Sequence, residues 1–311
     1  MSPEVTAAII AACVSFLTLI GTLAAQYYGR RTASRDAEKS FAEQREQLNE
    51  TLKAQGDQLD KTLAEQRTRT LNERFATAAE QMGSDQPAIR LAGVYAMAGL
   101  AGDWEENRQT CVDVLCAYLR IPYEPDPGQD ALEPQRLAFQ ASREVRLTVI
   151  RVITAHLRED AAVSWQGLNF DFTGAVFDGA YFDDAKFSGG TVDFDRAKFC
   201  GGTIRFSDAE FSGGTVYFGD AECSDGTIDF SGAQFTGGTV YFSRGKFSGG
   251  TIDFSGAQFT GSAVDFRDAQ FSGATIDFSD ARDWSYPPAF PWTDTPPSGV
   301  KLPGKKDQSQ T

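Results

Sequence analysis

The chain has 311 residues, 24 of them Phe and 30 Gly, and its 43 Asp and Glu against 29 Lys and Arg give a net charge of −14. That balance excludes nucleic-acid binding through a basic patch. A single histidine removes Ser-His-Asp, Cys-His and poly-His zinc chemistry, and five cysteines at unrelated spacings (Cys13, Cys111, Cys116, Cys200, Cys223) make no CxxC pair and no disulfide framework, so they read as reduced thiols facing a cytosol.

Val5 to Gly29 carries no charged residue, and Ala7 to Ala25 is mostly apolar. A membrane-spanning helix needs ~20 such residues. Tyr27 and Tyr28 stand where interfacial aromatics belong, and Arg30 and Arg31 follow. Glu4 precedes the span and no Lys or Arg does, so the positive flank is C-terminal. This predicts a single-pass anchor in the cell membrane's lipid bilayer with everything after residue 30 in the cytoplasm. A cleaved signal peptide fits less well, because the basic leading region is missing.

Residues 35–67 hide an 11-residue repeat: Ala37 and Phe41 recur as Leu48 and Leu52, then as Leu59 and Leu63. Eleven residues over three turns favour a straight helix or a right-handed supercoil. Glu, Gln, Lys, Arg and Asp supply a solvated face, and Gly56 weakens the helix locally. A narrow stripe needs cover. Two readings stay open: homo-oligomerisation through the stalk, and a lone helix lying on its own domain.

From Leu71 to about Glu159 the pattern is helical. Ser84 and Asp85 are placed to cap a helix starting near Pro87, with Ile89, Ala92, Tyr95, Met97 and Leu100 as its apolar face. A second helix carries Val112, Leu115, Tyr118 and Leu119 until Pro122, and a turn-rich loop runs to Gly128. A third carries Val145, Val149, Val152, Ile153 and Leu157. Cys111 and Cys116 diverge on a helix and read as core thiols. His156 has no partner motif nearby and reads as a surface or hydrogen-bonded histidine.

From Phe182 onward one rule holds for about a hundred residues. Phe recurs every 12 residues as Phe194, Phe206, Phe218, Phe230, Phe242, Phe254, Phe266 and Phe278. Five residues later comes a second large site: Phe199, Phe211, Cys223, Phe235, Phe247, Phe259 and Phe271. Two before the first series lies a β-branched residue: Val192, Ile204, Val216, Ile228, Val240, Ile252, Val264 and Ile276. Two before the second lies Ala or Gly. A spacing of two puts both side chains of a pair on one side of an extended segment, so these form the core columns, and the intervening Asp, Arg, Tyr, Lys, Glu and Gln face out.

The unit parses as [Val/Ile]-x-Phe-x-x and Ala-x-Phe-x-Gly plus two residues, usually Gly-Thr. The first turn glycine (Gly189, Gly201, Gly213) becomes Asp225 once, and Asp tolerates a left-handed backbone. The second becomes Ser262 and Ala274, which asks only for a small residue. The strict Val/Ile alternation, the identity of 226–237 with 250–261, and the 24-residue spacing of Tyr217 and Tyr241 favour 24 residues per coil over 12. Four coils at strand spacing make a rod of ~19 Å plus caps. Trp165 and Leu168 fit an N-terminal cap. Trp284, Tyr286, Phe290 and Trp292 fit a C-terminal lid, with a disordered tail after Pro296.

The stretch from Phe172 to about Ala281, with runs such as AKFSG (185–189), IDFSG (228–232) and AQFTG (257–261), resembles the bacterial pentapeptide-repeat family. The resemblance implies a right-handed quadrilateral solenoid with Phe stacked inside, and it brings no catalytic residue. The regular two-residue insertion departs from the family's uninterrupted period of five. The stretch TCVDVLCAYLRIPYEP (110–125), behind a span and stalk, looks like membrane-anchored members of the family.

The expected fold is therefore multidomain α and β: a transmembrane anchor (1–30), a helical stalk (31–70), an α-helical domain (71–160), a right-handed β-solenoid (161–283), and a cap with a tail (284–311). The expected function is a non-enzymatic, membrane-tethered scaffold offering an acidic surface to a cytoplasmic protein partner. It uses no cofactor and binds no nucleic acid directly. Residues 160–283 hold 19 acidic and 8 basic side chains, a net of −11. The alternative is a DNA mimic that occupies a topoisomerase, as some proteins of the resembled family do. Outward Asp193, Asp229, Asp253, Asp265 and Asp277 raise a calcium ladder, which Arg205, Tyr217 and Tyr241 interrupt. A Thr row (Thr191, Thr203, Thr215, Thr227, Thr239, Thr251) raises an ice-binding face, though corner packing accounts for it more simply. No GxxxxGK[ST], GxSxG or HExxH motif is present.

Overall fold

The structure, a computed structural model, describes residues 2–124, 127–128 and 130–304; the side chains of 32–37 are left undescribed. Ala37 of the stalk stripe, part of the Pro122–Gly128 loop and the last seven residues thus lie outside the described residues. The chain divides into two compact units, Met1–Thr70 and Leu71–Thr311.

From Pro3 onward the first unit is helical, within α1 (Pro3–Met82). Pro3–Arg31 is long and apolar enough to cross a membrane, with a mean hydropathy of 2.3 over its best window; an N-terminal signal sequence shares that property. Phe41, Leu48, Leu52, Leu59 and Leu63 are all exposed. The helix continues through Gly56.

The second unit opens with the end of α1, whose Leu71, Ala78 and Met82 are buried, followed by α2 (Pro87–Asp103), α3 (Arg108–Arg120) and α4 (Glu133–Leu157). Val112, Leu115 and Leu119 of α3 and Val145, Val149, Val152, Ile153 and Leu157 of α4 are buried. Cys111 and Cys116 lie in that core, and burial pushes the Cys111 thiol up to about 11. Two expectations for α2 fail. Its N-cap is Gln86, held extended by the following Pro87, and Ser84 Oγ instead accepts the Gln86 N–H at 3.2 Å. Its buried face is Gly93, Val94, Met97, Ala98, Leu100 and Ala101, while Tyr95 is 61% exposed and Ala92 also faces out. Gly93 sets that face: an added Cβ there would lie 2.6 Å from the Met82 nitrogen, so α1 and α2 touch backbone to backbone.

The rest of the unit is a β-solenoid with four parallel ladders. One ladder carries Phe170, Val192, Val216, Val240 and Val264. A second carries Ala180, Ile204, Ile228, Ile252, Ile276 and Val300. Two more carry the second Phe series. Phe177, Phe199, Cys223, Phe247 and Phe271 stack on one side. Phe187, Phe211, Phe235 and Phe259 stack on the other. Val216 pairs with Val240 and Ile252 with Ile276, an offset of 24, so the longer of the two coil lengths holds.

The Ile ladder has six strands rather than four coils' worth, spanning ~24 Å. Both additions lie beside departures from the 12-residue rule, although the first, Ala180, still pairs with Ile204 at an offset of 24. At the start, Phe170 pairs with Val192 and Val176 with Lys198, offsets of 22, because Asp178 and Gly179 alone join Phe177 to Ala180. At the end, Val300–Lys301 pairs with Ile276–Asp277, so a strand forms after Pro296 where the sequence suggested only a tail.

The corners also differ from the sequence reading. The second turn glycine takes the left-handed backbone, as at Gly214 (φ +67) and Gly238 (φ +69), whereas of the first turn sites named from sequence only Gly201 does, and Asp225 fits there without positive φ. An added Cβ on Gly238 would lie 2.5 Å from the Gly214 carbonyl oxygen one coil away, so sterics and conformation both demand glycine. Ser262 and Ala274 fit because positive φ is not adopted there. A further left-handed site, two residues after the first Phe, is filled by Asp184, Arg196, Asp208, Asp220, Arg244 and Asp268. A non-glycine residue there costs roughly 1–2 kcal/mol. The turn is offset by two backbone bonds, such as Arg196 N–H to Gly219 O at 2.8 Å and Ala197 N–H to Phe194 O at 3.0 Å.

Candidate interaction surface

The interior is closed by rings. Phe194, Phe218, Phe242 and Phe266 form one column, with successive centroids 4.8, 4.8 and 4.4 Å apart and planes within 4° of parallel. Phe206, Phe230, Phe254 and Phe278 form another. The core side chains named from sequence lie inside and buried, except Phe271, which is half-buried beneath Trp292 at the C-terminal end. Cys223 interrupts one Phe column; burial lifts its thiol to about 11. Such a core leaves chemistry to the outer faces and the ends.

Each end is sealed. At the start, Trp165 is buried and stacks on His156 with centroids 4.0 Å apart, and His156 Nδ1 lies 2.8 Å from Val152 O. The deeper seal was illegible in the sequence. The Arg146 guanidinium of α4 is buried, donates to Leu119 O at 2.9 Å and Val176 O at 2.7 Å, and lies over the Tyr123 ring at 4.3 Å. Asp178 accepts from Arg143 Nε at 3.0 Å and from the Tyr123 hydroxyl at 2.8 Å, and burial with that carboxylate raises the Tyr123 phenol. These residues join α4 to the 22-residue coil. At the far end Trp284 packs edge-on against Phe259, and Phe290 stacks on Phe266. Tyr286 does not join that lid and is 53% exposed; its backbone N–H bonds Phe259 O instead.

The outer faces differ in chemistry. On the Val ladder, Tyr217 and Tyr241 stack at 5.4 Å with planes 12° apart, half-buried between Asp193 and Asp265. On the Ile ladder, Arg205, Asp229, Asp253, Asp277 and Lys301 follow one another. The proposed carboxylate column is therefore split between two faces. Its members also serve the backbone: Asp193, Asp229, Asp253, Asp265 and Asp277 each accept the N–H two residues on. The Thr row splits likewise, Thr191, Thr215 and Thr239 to one ladder and Thr203, Thr227 and Thr251 to the other.

Cations along the rod are largely matched. Lys186 pairs with Glu210 at 3.2 Å, Lys246 with Glu222 at 3.0 Å, Arg244 with Asp220 at 2.8 Å and Arg267 with Asp265 at 2.6 Å, and Arg205 pairs with Asp183. Among the described ion pairs, Asp229 and Asp253 on the Ile face and Asp193 on the Val face hold no cation, so both faces carry uncompensated carboxylates. Burial raises the Asp195 carboxyl, and the neighbouring Asp193 adds to the shift. Among the described residues no His, Cys, Asp and Glu cluster is arranged to hold a metal.

Residues 172–222 match the family model described as pentapeptide repeats (9 copies). No curated protein and no solved structure matches the chain. The segment is thus a pentapeptide-repeat β-solenoid, and the same coil rule continues beyond residue 222 in the ladders. Solenoids of this kind are generally non-enzymatic and suggest a protein-interaction module.

Proposed function

We propose that the chain is a membrane-tethered scaffold whose solenoid presents its acidic faces to a cytoplasmic protein. The observation that carries the reading is the contrast between interior and exterior. The interior is filled with stacked rings, and the outer faces combine a net-acidic surface with a stacked tyrosine pair. Aromatic residues that are rigid and half-exposed are the kind that anchor protein partners, and a surplus of one charge steers encounter. The tether is supported by the apolar span Pro3–Arg31 and by Arg30 and Arg31 on its C-terminal flank.

The test is capture from solubilised membranes with the full chain as bait, beside a Tyr217→Ser/Tyr241→Ser variant and an Asp229→Asn/Asp253→Asn variant. A partner held by the parent chain and lost by one variant of unchanged melting supports the reading. Retention by both variants, or release of the chain from membranes by alkaline carbonate, overturns it.

The second reading, a DNA mimic acting on a topoisomerase, is favoured by the net of −11 over residues 160–283. The cross-coil pairs of Lys186, Lys246 and Arg244 break the carboxylate rows and weigh against it. Salt-sensitive binding to a purified type II topoisomerase would promote it.

A further inference from the structure

We infer that residues 37–66 of the stalk pair with a second copy of this chain, parallel and in register, as a right-handed two-stranded supercoil containing glutamine layers. The inference deepens the tethered-scaffold reading and rests on it for the common orientation of the copies.

The 11-residue period is fuller than the apolar stripe alone. At about 98° per residue, which 3.67 residues per turn imposes, Leu48 and Leu59 lie at the centre of the stripe. Phe41, Leu52 and Leu63 lie about 33° to one side. The position about 33° to the other side is held by Gln44, Gln55 and Gln66, themselves 11 apart. The five apolar side chains are each 53–65% exposed and the three glutamines are exposed as well.

Two observations prepare this face for burial. Beside the glutamines stand Thr51 and Thr62, again 11 apart, whose hydroxyls donate to Gln47 O at 2.8 Å and Gln58 O at 2.9 Å. Their polar atoms are satisfied within the helix, so their methyls are free to pack. The seven carboxylates of the segment (Glu38, Glu43, Glu46, Glu50, Asp57, Asp60, Glu65) all fall outside the stripe and its two flanks, so burying the face desolvates no anion.

A partner must meet a glutamine at every third turn, and only a chain with the same period keeps doing so. A second copy in parallel register puts Gln44 against Gln44, Gln55 against Gln55 and Gln66 against Gln66, where each amide can donate and accept. Polar layers of this kind fix register and strand number at some cost in stability. Thirty residues exceed the three to four heptads at which such pairing becomes a usable signal. The apolar span on the same helix sets every copy the same way up and raises their effective concentration.

The experiment uses the full chain in lipid nanodiscs, with Cys13→Ser and Cys200→Ser to remove the accessible native thiols. Single cysteines are placed on the stripe (Leu48→Cys, Gln55→Cys, Leu59→Cys) and opposite it (Glu46→Cys, Asp57→Cys), and disulfide formation is followed under mild oxidant. Stripe positions should give a covalent dimer at least about tenfold faster than the opposite positions, as a proximity effect. Leu52→Asp should abolish the Gln55→Cys cross-link. Equal rates at all positions, no cross-link on the stripe, or no effect of Leu52→Asp overturns the inference. Carbonate extraction of the same samples reads the tether separately: a chain that leaves the membrane yet cross-links on the stripe defeats the tethered reading and leaves the pairing standing.

Discussion

The stalk and the solenoid solve one problem in opposite ways. Each repeats a stripe of large apolar residues at a fixed period. In the solenoid the next copy of the stripe is the next turn of the same chain, and Phe230 or Phe254 is completely covered. In the stalk the repeat runs along one helix, the copies never meet, and Leu48 and Leu52 stay more than half exposed. Period alone therefore does not decide whether a repeat is self-sufficient. What decides it is whether the backbone curls back within one unit, as a corner-turning circuit of strands does and a straight helical repeat cannot.

The comparison breaks most readily at Phe230. Its ring stacks on Phe206 at 4.9 Å and Phe254 at 4.9 Å. Phe230→Asp should cost more than ~4 kcal/mol, the range of buried unpaired charge. The β signal in circular dichroism should be lost while α1 remains helical; unchanged melting would refute the sheltered core. Leu52→Asp, at an equally apolar position, should leave solenoid melting unmoved.

A smaller effect tests the corners. Gly238→Ala should cost ~1–3 kcal/mol through backbone strain and the clash with the coil beneath, whereas Gly128→Ala, with open space around it, lacks the clash. Equal melting shifts for the two would show that the close approach is immaterial.

The smallest effect is at the last strand. Burial pushes the Asp277 carboxyl up, but Lys301 at 2.7 Å and Ser279 at 2.6 Å overcome it and hold it at about 2. A depressed carboxyl stabilises above its ordinary value near 3.8 and loses that contribution as pH falls toward 2. Hydrogen exchange at Val300–Lys301 should therefore accelerate across that window. Lys301→Ala should accelerate it at neutral pH by no more than about fivefold, as for an exposed pair.

Much of this was legible because solenoid packing is local in register. The Val/Ile alternation already separates two faces, and Tyr217 and Tyr241 announce their stack by lying one coil apart. The ends were not legible in the same way. The first coil lacks the Gly-Thr insertion, so the 12-residue rule begins too late to count it. Val300 completes a ladder without any motif, by proximity alone. Arg146 sits within an apolar helical stripe, and nothing local says that carbonyls from α3 and from the first coil converge on it. In α2, Ala and Gly occur on both sides, so the apolar pattern does not choose a face and Gly93 does.

The ladders match like with like only after a complete circuit. Duplicating 226–249 would add one storey, leave Val over Val, and return the aromatic lid to its original bearing, one strand spacing farther out. Duplicating 226–237 would set Val upon Ile and swing the lid to the opposite side of the shaft. Lineages that lengthen or shorten this rod should therefore do so by whole circuits and never by halves, and its reach is quantised accordingly.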